Sequence, residues 1–282
     1  MKVIVTGSTG FIGRHVVPAL VRRGHSVTAV ARKAERVSDL RWPQTVRFVP
    51  CDLHQPDLDV RSVLGPADAV THLAWPGLPN YKALSHIEET LFADYRFLKS
   101  LVFAGYTHLL VAGTCLEYGM RSGPLHEDME TQPANPYALA KDTLRRFLEM
   151  LRVQSPFTLQ WARLFYVFGP GQHSGSLLAQ LERALERGDE EFPMSGGDQL
   201  RDYLPVEKVA ADLVTLLEHP ECDGIVNICS GKPISVRRLV EEFLSARGKH
   251  IRLKLGQYPY PDYEPMAFWG GRSKYQEMET ND

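Results

Sequence analysis

Up to Phe168 the chain alternates short, almost unbroken apolar runs with longer segments whose apolar positions recur every three or four residues. The runs "KVIVTG", "SVTAV", "VRFVPCD", "DAVTHLA", "HLLVAGT" and "TLQWARLF" predict buried strands, since each is bounded by turn residues and lacks polar alternation. Between them, "FIGRHVVPALVRRG" predicts a helix closed by Gly24, with Pro18 removing one hydrogen bond and bending it. "ALSHIEETLFADYRFLKSLVFAG" predicts a second, long helix. A third carries Tyr137 near its start and an apolar face of Ala140, Leu144, Phe147, Leu148 and Leu151. Strand and helix in strict alternation predict an α/β fold, a doubly wound parallel sheet of Rossmann type with helices on both faces.

Beyond Phe168 the rhythm breaks. A glycine-rich loop, "GPGQHSGS", precedes a helix at "LLAQLERALERG" and an irregular stretch to Arg201. A helix at "VEKVAADLVTLLEH" and a strand at "GIVNICSG" return to the first pattern, and the end, "YPYPDYEPMAFWGG", is rich in proline and aromatics. The expected division is a dinucleotide-binding domain from residues 1–167 and 205–232, and a small, discontinuous substrate-binding domain from 168–204 and 233–282.

Composition narrows the function classes. With 282 residues, 44% hydrophobic and 23% charged, the chain is long enough for a large core. A formal net charge of −2 offers no basic field for nucleic acid. Cys51, Cys115, Cys222 and Cys229 form no CxxC pair, which argues for a reducing compartment and against a zinc site or disulfide framework. The start "MKVIVTGSTG" enters a strand at once, with no signal peptide, and no apolar run approaches a membrane span. The expectation is a cytoplasmic protein without a metal.

The candidate chemistry sits at strand ends. In "VTGSTGFIG", Gly7, Gly10 and Gly13 occupy the turn between the first strand and the first helix, where a pyrophosphate can approach the backbone and meet a helix N-terminus. The spacing is GxxGxxG. At the end of the second strand Ala31 stands where an acid would accept from a ribose, and Arg32 and Lys33 follow; two cations suit a 2′-phosphate, hence NADP over NAD. Asp52, with Leu53 beside it, ends the third strand and is either an adenine contact or a turn aspartate. Tyr137 and Lys141 lie one helical turn apart, on one face. Tyrosine titrates near ~10, so proton exchange at neutrality needs a fall of ~3 units, or ~4 kcal/mol, part of which the ammonium would supply.

An N-terminal GxxGxxG, Asp-Leu at 52–53, "HLA" at the fourth strand, Thr114 after the fifth and YxxxK at 137–141 together resemble the short-chain dehydrogenase/reductase superfamily. "RLFYVFGPGQ" and "SGGDQLRDYLPVEKVAADL" resemble its extended branch of epimerases, dehydratases and ketoreductases acting on nucleotide sugars. The resemblance covers nearly the whole chain. It implies a catalytic set of Thr114, Tyr137 and Lys141, the lysine also holding the nicotinamide ribose. It implies a cofactor site of Gly7, Gly10, Phe11, Ile12, Gly13, Arg32, Lys33, Asp52, Leu53, Leu73 and Ala74 with Tyr137 and Lys141. Substrate contacts are expected from Thr114, Tyr166, Gln172 and Arg201, the last as a diphosphate clamp whose alternative is a surface ion pair with Asp202 or Glu207.

Departures from the family pattern narrow the reaction. Where its dehydratases carry an Asp-Glu pair, this chain has Cys115 and Leu116, which disfavours water loss. Cys115 with His173 is a candidate acid/base pair, against the commoner reading of a buried, inert thiol. Tyr166 and Lys208 replace an asparagine and an acid of the pattern. The leading expectation is an NADPH-dependent reductase of the C4 keto group of a 4-keto-6-deoxy nucleotide sugar. The alternatives are a 4-epimerase with bound NAD and a non-catalytic redox sensor. The resemblance also implies a homodimer through the 83–104 and 137–152 helices, with Leu91, Leu98, Val102, Leu139 and Phe147 as candidate contacts.

Overall fold

The structure, a computed structural model, describes residues 1–33, 38–271 and 274. Its first half runs β1 (Lys2–Thr6), α1 (Gly13–Arg22), β2 (Ser26–Ala31), β3 (Arg47–Pro50), α2 (Val60–Leu64), β4 (Ala69–His72), α3 (Leu91–Phe103), β5 (His108–Thr114), β6 (Gly123–Leu125) and α4 (Pro136–Gln154). There follow β7 (Thr158–Leu164), β8 (Tyr166–Phe168), α5 (Leu177–Arg187), β9 (Glu191–Pro193), β10 (Leu200–Pro205), α6 (Val206–Glu218), β11 (Gly224–Ile228), β12 (Pro233–Ser235), α7 (Val236–Ala246), β13 (Arg252–Lys254) and β14 (Phe268–Gly270).

Seven strands form one sheet in the order β11-β7-β5-β4-β1-β2-β3, all neighbours parallel. Both faces are covered, which is why its strands read as continuous apolar runs. On one face Leu98 and Leu101 of α3 and Leu144 and Leu148 of α4 pack on Leu109, Val111 and Trp161. On the other, Val16 and Leu20 of α1 and Val209 and Leu213 of α6 pack on Val3, Val5 and Leu110. A smaller core gathers Leu178 and Leu181 of α5, Phe192, and Val240 and Leu244 of α7. Short sheets β12-β10-β8, β13-β9 and β14-β6 tie this part to the C-terminal ends of the large sheet.

Three local features differ from the sequence reading. The long second helix opens with a π-helical turn, His86–Thr90, before α3. The helices α2 and α7 and the strands β6, β8, β9, β10, β12, β13 and β14 lie where no element was expected. Of the residues expected on a second face of the 83–104 helix, Leu91, Leu98 and Val102 are buried in the protein's own core, because that face is the one that meets the sheet. The outward row is Phe92, Phe103, Leu139, Met150 and Val153, the last two 65% and 78% exposed, with Phe147 half-buried.

Candidate active site

Strand order runs outward from β1 in both directions, so β1 and β4 flank the point where the winding reverses. Open parallel sheets bind ligands in the crevice at the C-terminal ends of strands at such a point. The glycine turn fills one side of it. Gly7 has φ +65°, and a Cβ there would meet Ala74 N at 2.7 Å. A Cβ on Gly13 would meet Gly7 O at 2.3 Å. Only bare backbone lets the turn lie so close to the end of β4 and to α1, whose N-cap, Ile12, gives no side-chain hydrogen bond. Arg14 N and His15 N donate to Gly10 O and Ile12 O, and no side chain caps the helix start, the kind of end that suits an anion. Phe11, Ile12, Leu73 and Ala74 are half-buried around this turn, and Arg32 and Lys33 are exposed at the end of β2. Asp52 is exposed and accepts from His54 N at 3.1 Å, an internal turn contact, while Leu53 is buried in the core.

The other side is built by β5 and α4. Thr114 ends β5 and caps the short 3-10 turn Cys115–Tyr118, and Glu117 returns the bond by accepting from Thr114 N at 2.9 Å. Such reciprocal capping fixes the direction in which the chain leaves the strand. Glu117 is wholly buried and also accepts from Trp161 Nε1 at 3.0 Å and from Arg163 Nε at 2.7 Å. Burial opposes the charge on Arg163, and the Glu117 carboxylate more than offsets it. Asn135 caps α4 through Ala138 N, 2.9 Å, with Pro136 in the first turn, so Tyr137 and Lys141 enter the crevice from a well-anchored helix start.

Tyr137 is buried, with Tyr81, His86 and Trp75 at ring distances of 5.5, 5.4 and 5.9 Å. Burial pushes its phenol well above the ordinary tyrosine value, and Tyr81, Glu117 and Cys115 add to this; the Thr114 hydroxyl works in the opposite direction. Without a bound cofactor, the surroundings of the ring favour the neutral phenol. Burial also pulls Lys141 down to about 8, against the carboxylates of Asp94 and Glu117. Its Nζ donates to Ala112 O at 2.9 Å and stands 3.9 Å from the Trp75 ring centre. Asp94 is itself buried between His54, 2.7 Å, and His72, 3.3 Å.

The other residues expected to contact substrate lie on β8, in the loop after it and on β10. Tyr166 packs on Tyr203 and Phe268, at 5.4 and 5.9 Å. Gln172 is half-buried in the loop after β8. Arg201 makes neither expected surface ion pair: it is buried, pairs with Glu264 at 3.0 Å and donates to Leu200 O and Met266 O. Cys115 and His173 have separate settings. The thiol is buried with Tyr118, Phe165 and Phe268, and burial raises it well above the ordinary value; His173 is exposed and accepts from Gly175 N.

Sequence reading missed Trp75, Tyr81, His86, Asp94, Glu117 and Glu264. Glu117 alone carried a local signal, its capping-box spacing from Thr114.

A parallel sheet of this order, with a glycine cradle at the switch point, defines a Rossmann-type dinucleotide-binding protein. The chain belongs to the NAD dependent epimerase/dehydratase family, whose model matches residues 3–229. It is 31% identical to dTDP-6-deoxy-L-talose 4-dehydrogenase (NAD(+)) of Aggregatibacter actinomycetemcomitans, over 96% of this chain and 100% of that protein. It is 29% identical to GDP-6-deoxy-D-mannose reductase of Pseudomonas aeruginosa, over 92% and 83%. Among solved structures, MoeE5 in complex with UDP-glucuronic acid and NAD superposes with a TM-score of 0.82 at 28% identity, over 99% of this chain and 92% of the other. The turn fits the group these names imply, since bare glycine at 7 and 13 seats it against β4 and α1 while the space at Gly10 stays open, with Gly7 O at 3.0 Å the one atom near a Cβ there. Among the described residues no helix is long and apolar enough to cross a membrane.

Proposed function

We propose that the chain reduces the C4 keto group of a 4-keto-6-deoxy nucleotide sugar with a nicotinamide cofactor. One observation carries this reading. A neutral, buried phenol at Tyr137 faces Thr114, while the neighbouring positions are a buried thiol, Cys115, and a leucine, Leu116, neither suited to the acid/base work of dehydration. When bound, the cofactor supplies the hydride that C4 receives. Tyr137 Oη gives its proton to the C4 oxygen, which becomes a hydroxyl, and Thr114 orients that oxygen. Lys141 keeps positive charge on the same side of α4, where a phenolate remains until solvent returns its proton. The relatives named for 4-dehydrogenation and for reduction of 6-deoxy sugars support the substrate class.

The test is incubation with NADPH or NADH and a panel of 4-keto-6-deoxy nucleotide sugars, following cofactor absorbance. Consumption of reduced cofactor supports the reading. Interconversion of unmodified nucleotide hexoses without net consumption would make the protein a 4-epimerase, and cofactor binding with no turnover would make it a sensor.

Cofactor choice turns on the end of β2. Arg32 and Lys33 are exposed and Ala31 offers no acceptor, an arrangement that favours NADP. Each charge-assisted contact contributes ~1.5–3 kcal/mol, less where water screens it, so the preference is expected to be roughly ten- to a hundred-fold. It should weaken with salt, because only the 2′-phosphate adds charge. Equal kcat/KM for both cofactors, or a preference for NADH as the relative named for NAD(+) would suggest, reduces Arg32 and Lys33 to a solvated turn.

A homodimer through α3 and α4 is part of the same reading, supported by the outward apolar row from Phe92 to Val153. Wild-type protein should scatter light as a dimer at micromolar concentration, and Met150→Glu with Val153→Glu as a monomer. A monomeric wild type removes the proposal. The four cysteines, scattered without a CxxC pair, are consistent with the cytoplasm as its compartment.

A further inference from the structure

Trp75 follows directly on the half-buried Leu73 and Ala74 at the end of β4, and its ring is held in a defined place. Its Nε1 donates to His86 Nδ1 at 3.1 Å, and the His86 and Trp75 rings stack at 6.2 Å. The other nitrogen of His86 lies 2.8 Å from Asn80 O, a carbonyl that can only accept. His86 must therefore carry its proton on Nε2 and present a lone pair to the indole. The π-helical turn His86–Thr90 sets this histidine beneath the crevice, and burial leaves it no water partner in place of Trp75. The indole face so fixed takes the Lys141 ammonium at 3.9 Å, and its edge meets the Tyr137 ring at 5.9 Å.

We propose that Trp75 is a positioning residue of the proton-transfer site: its ring face, clamped by His86, holds the buried Lys141 ammonium in place and keeps it charged. The inference rests on the reading of Tyr137 and Lys141 as the working pair. Lys141 has one hydrogen bond to a neutral carbonyl and is otherwise shut away from water. A buried amine in that position tends to release its proton, and burial does pull it down to about 8. The charged groups that face it are Asp94 from α3 and Glu117 from the turn after β5; Tyr137 and Tyr81 are neutral phenols nearby, and His72 and His54 stand behind Asp94. Neither carboxylate is hydrogen-bonded to the ammonium, since Asp94 is taken by the two histidines and Glu117 by Thr114, Trp161 and Arg163. Beside the Ala112 carbonyl, the π face is the group in direct contact with it, and a desolvated ammonium gains most from such a face.

The test reads Lys141 itself and not turnover. In full-length protein labelled with 13C at the lysine side chain, the Lys141 resonance is identified by its loss in Lys141→Met and titrated. Trp75→Leu should lower its midpoint by about one pH unit, and Trp75→Phe should restore part of the fall. Wild-type chain grown with mono-, di- and trifluorinated tryptophan keeps the ring's shape and drains its face of charge, so the midpoint should fall stepwise with fluorine number. In active enzyme the alkaline limb of kcat against pH should move down by the same amount while the KM for the sugar stays put. A midpoint unmoved by fluorination and by Trp75→Leu would overturn the proposal and leave Trp75 as packing. A wrong sugar substrate would not affect the titration, so the two failures are distinguishable.

Discussion

Replacing Tyr137 with phenylalanine is expected to lower kcat by ~10²–10⁴-fold with cofactor affinity nearly unchanged. The ring contacts with Trp75, Tyr81 and His86 need only the ring, so the helix start and the cradle survive the change. What goes is the one proton the site holds ready. A neutral phenol is the form that donates, and burial keeps Tyr137 in that form. The same burial sets a cost: the phenolate left behind is poorly solvated, and Thr114 and the charge on Lys141 are what the chain offers it. Turnover above about a tenth of wild type would take the proton donor's role from Tyr137. Steady-state kinetics and a direct cofactor Kd, measured side by side, decide it.

The second large effect is structural. Glu117→Ala should destabilise the protein by ~3–5 kcal/mol, because it leaves the wholly buried Arg163 charge without its carboxylate. The two terminal nitrogens of Arg163 make no hydrogen bond, and its other contact, the Tyr118 ring at 4.3 Å, carries no balancing charge. Trp161 Nε1 and Thr114 N lose their acceptor in the same step. Gly113 sits against this cluster so closely that a Cβ would lie 2.2 Å from Trp161 Nε1, which leaves little room to rearrange. Domains are stable by only ~5–15 kcal/mol, so the loss is a large share of the total. Thermal melting should fall by on the order of 10 °C, and the remaining activity should drop as Thr114 loses its anchor. A destabilisation below ~1 kcal/mol would mean that the pair contributes little beyond packing. Glu117→Gln, which keeps the shape and the acceptor for Thr114 N, should cost less.

The two cases differ in how far they could be read before the fold was known. The parallel sheet was legible because a strand buried on both faces must be apolar throughout, and six such runs stand out between helical periods. Gly7, Gly13, Thr114, Tyr137 and Lys141 were legible because each sits at the end of such a run or one turn into the helix after it. Trp75, Asp94 and Glu264 were not, because their partners, Lys141, His54 and Arg201, lie 40 or more residues away, and nothing local marks the pairing. The helix α7 escaped because its charged outer face, with Arg237, Arg238, Glu241 and Glu242 paired one turn apart, hides a narrow apolar stripe. The protonation of Tyr137 is a question of a different kind. Spacing placed the ammonium correctly one turn from the ring, but burial decides the balance, and burial is a property of the whole fold.

The pairing of β14 with β6 and of Glu264 with Arg201 has a consequence for how the protein is made. Arg201 is buried, and the carboxylate that balances it comes 63 residues later in the chain. While a ribosome is still reading the stretch between them, the large sheet can close, because β11 ends at Ile228. The smaller part around β8 and β10 cannot, since it would have to bury a lone guanidinium. A nascent chain stalled after α6 and β11 should thus already resist protease across the nucleotide cradle, yet expose β8 and β10 to cleavage until Glu264 and Phe268 have emerged from the exit tunnel.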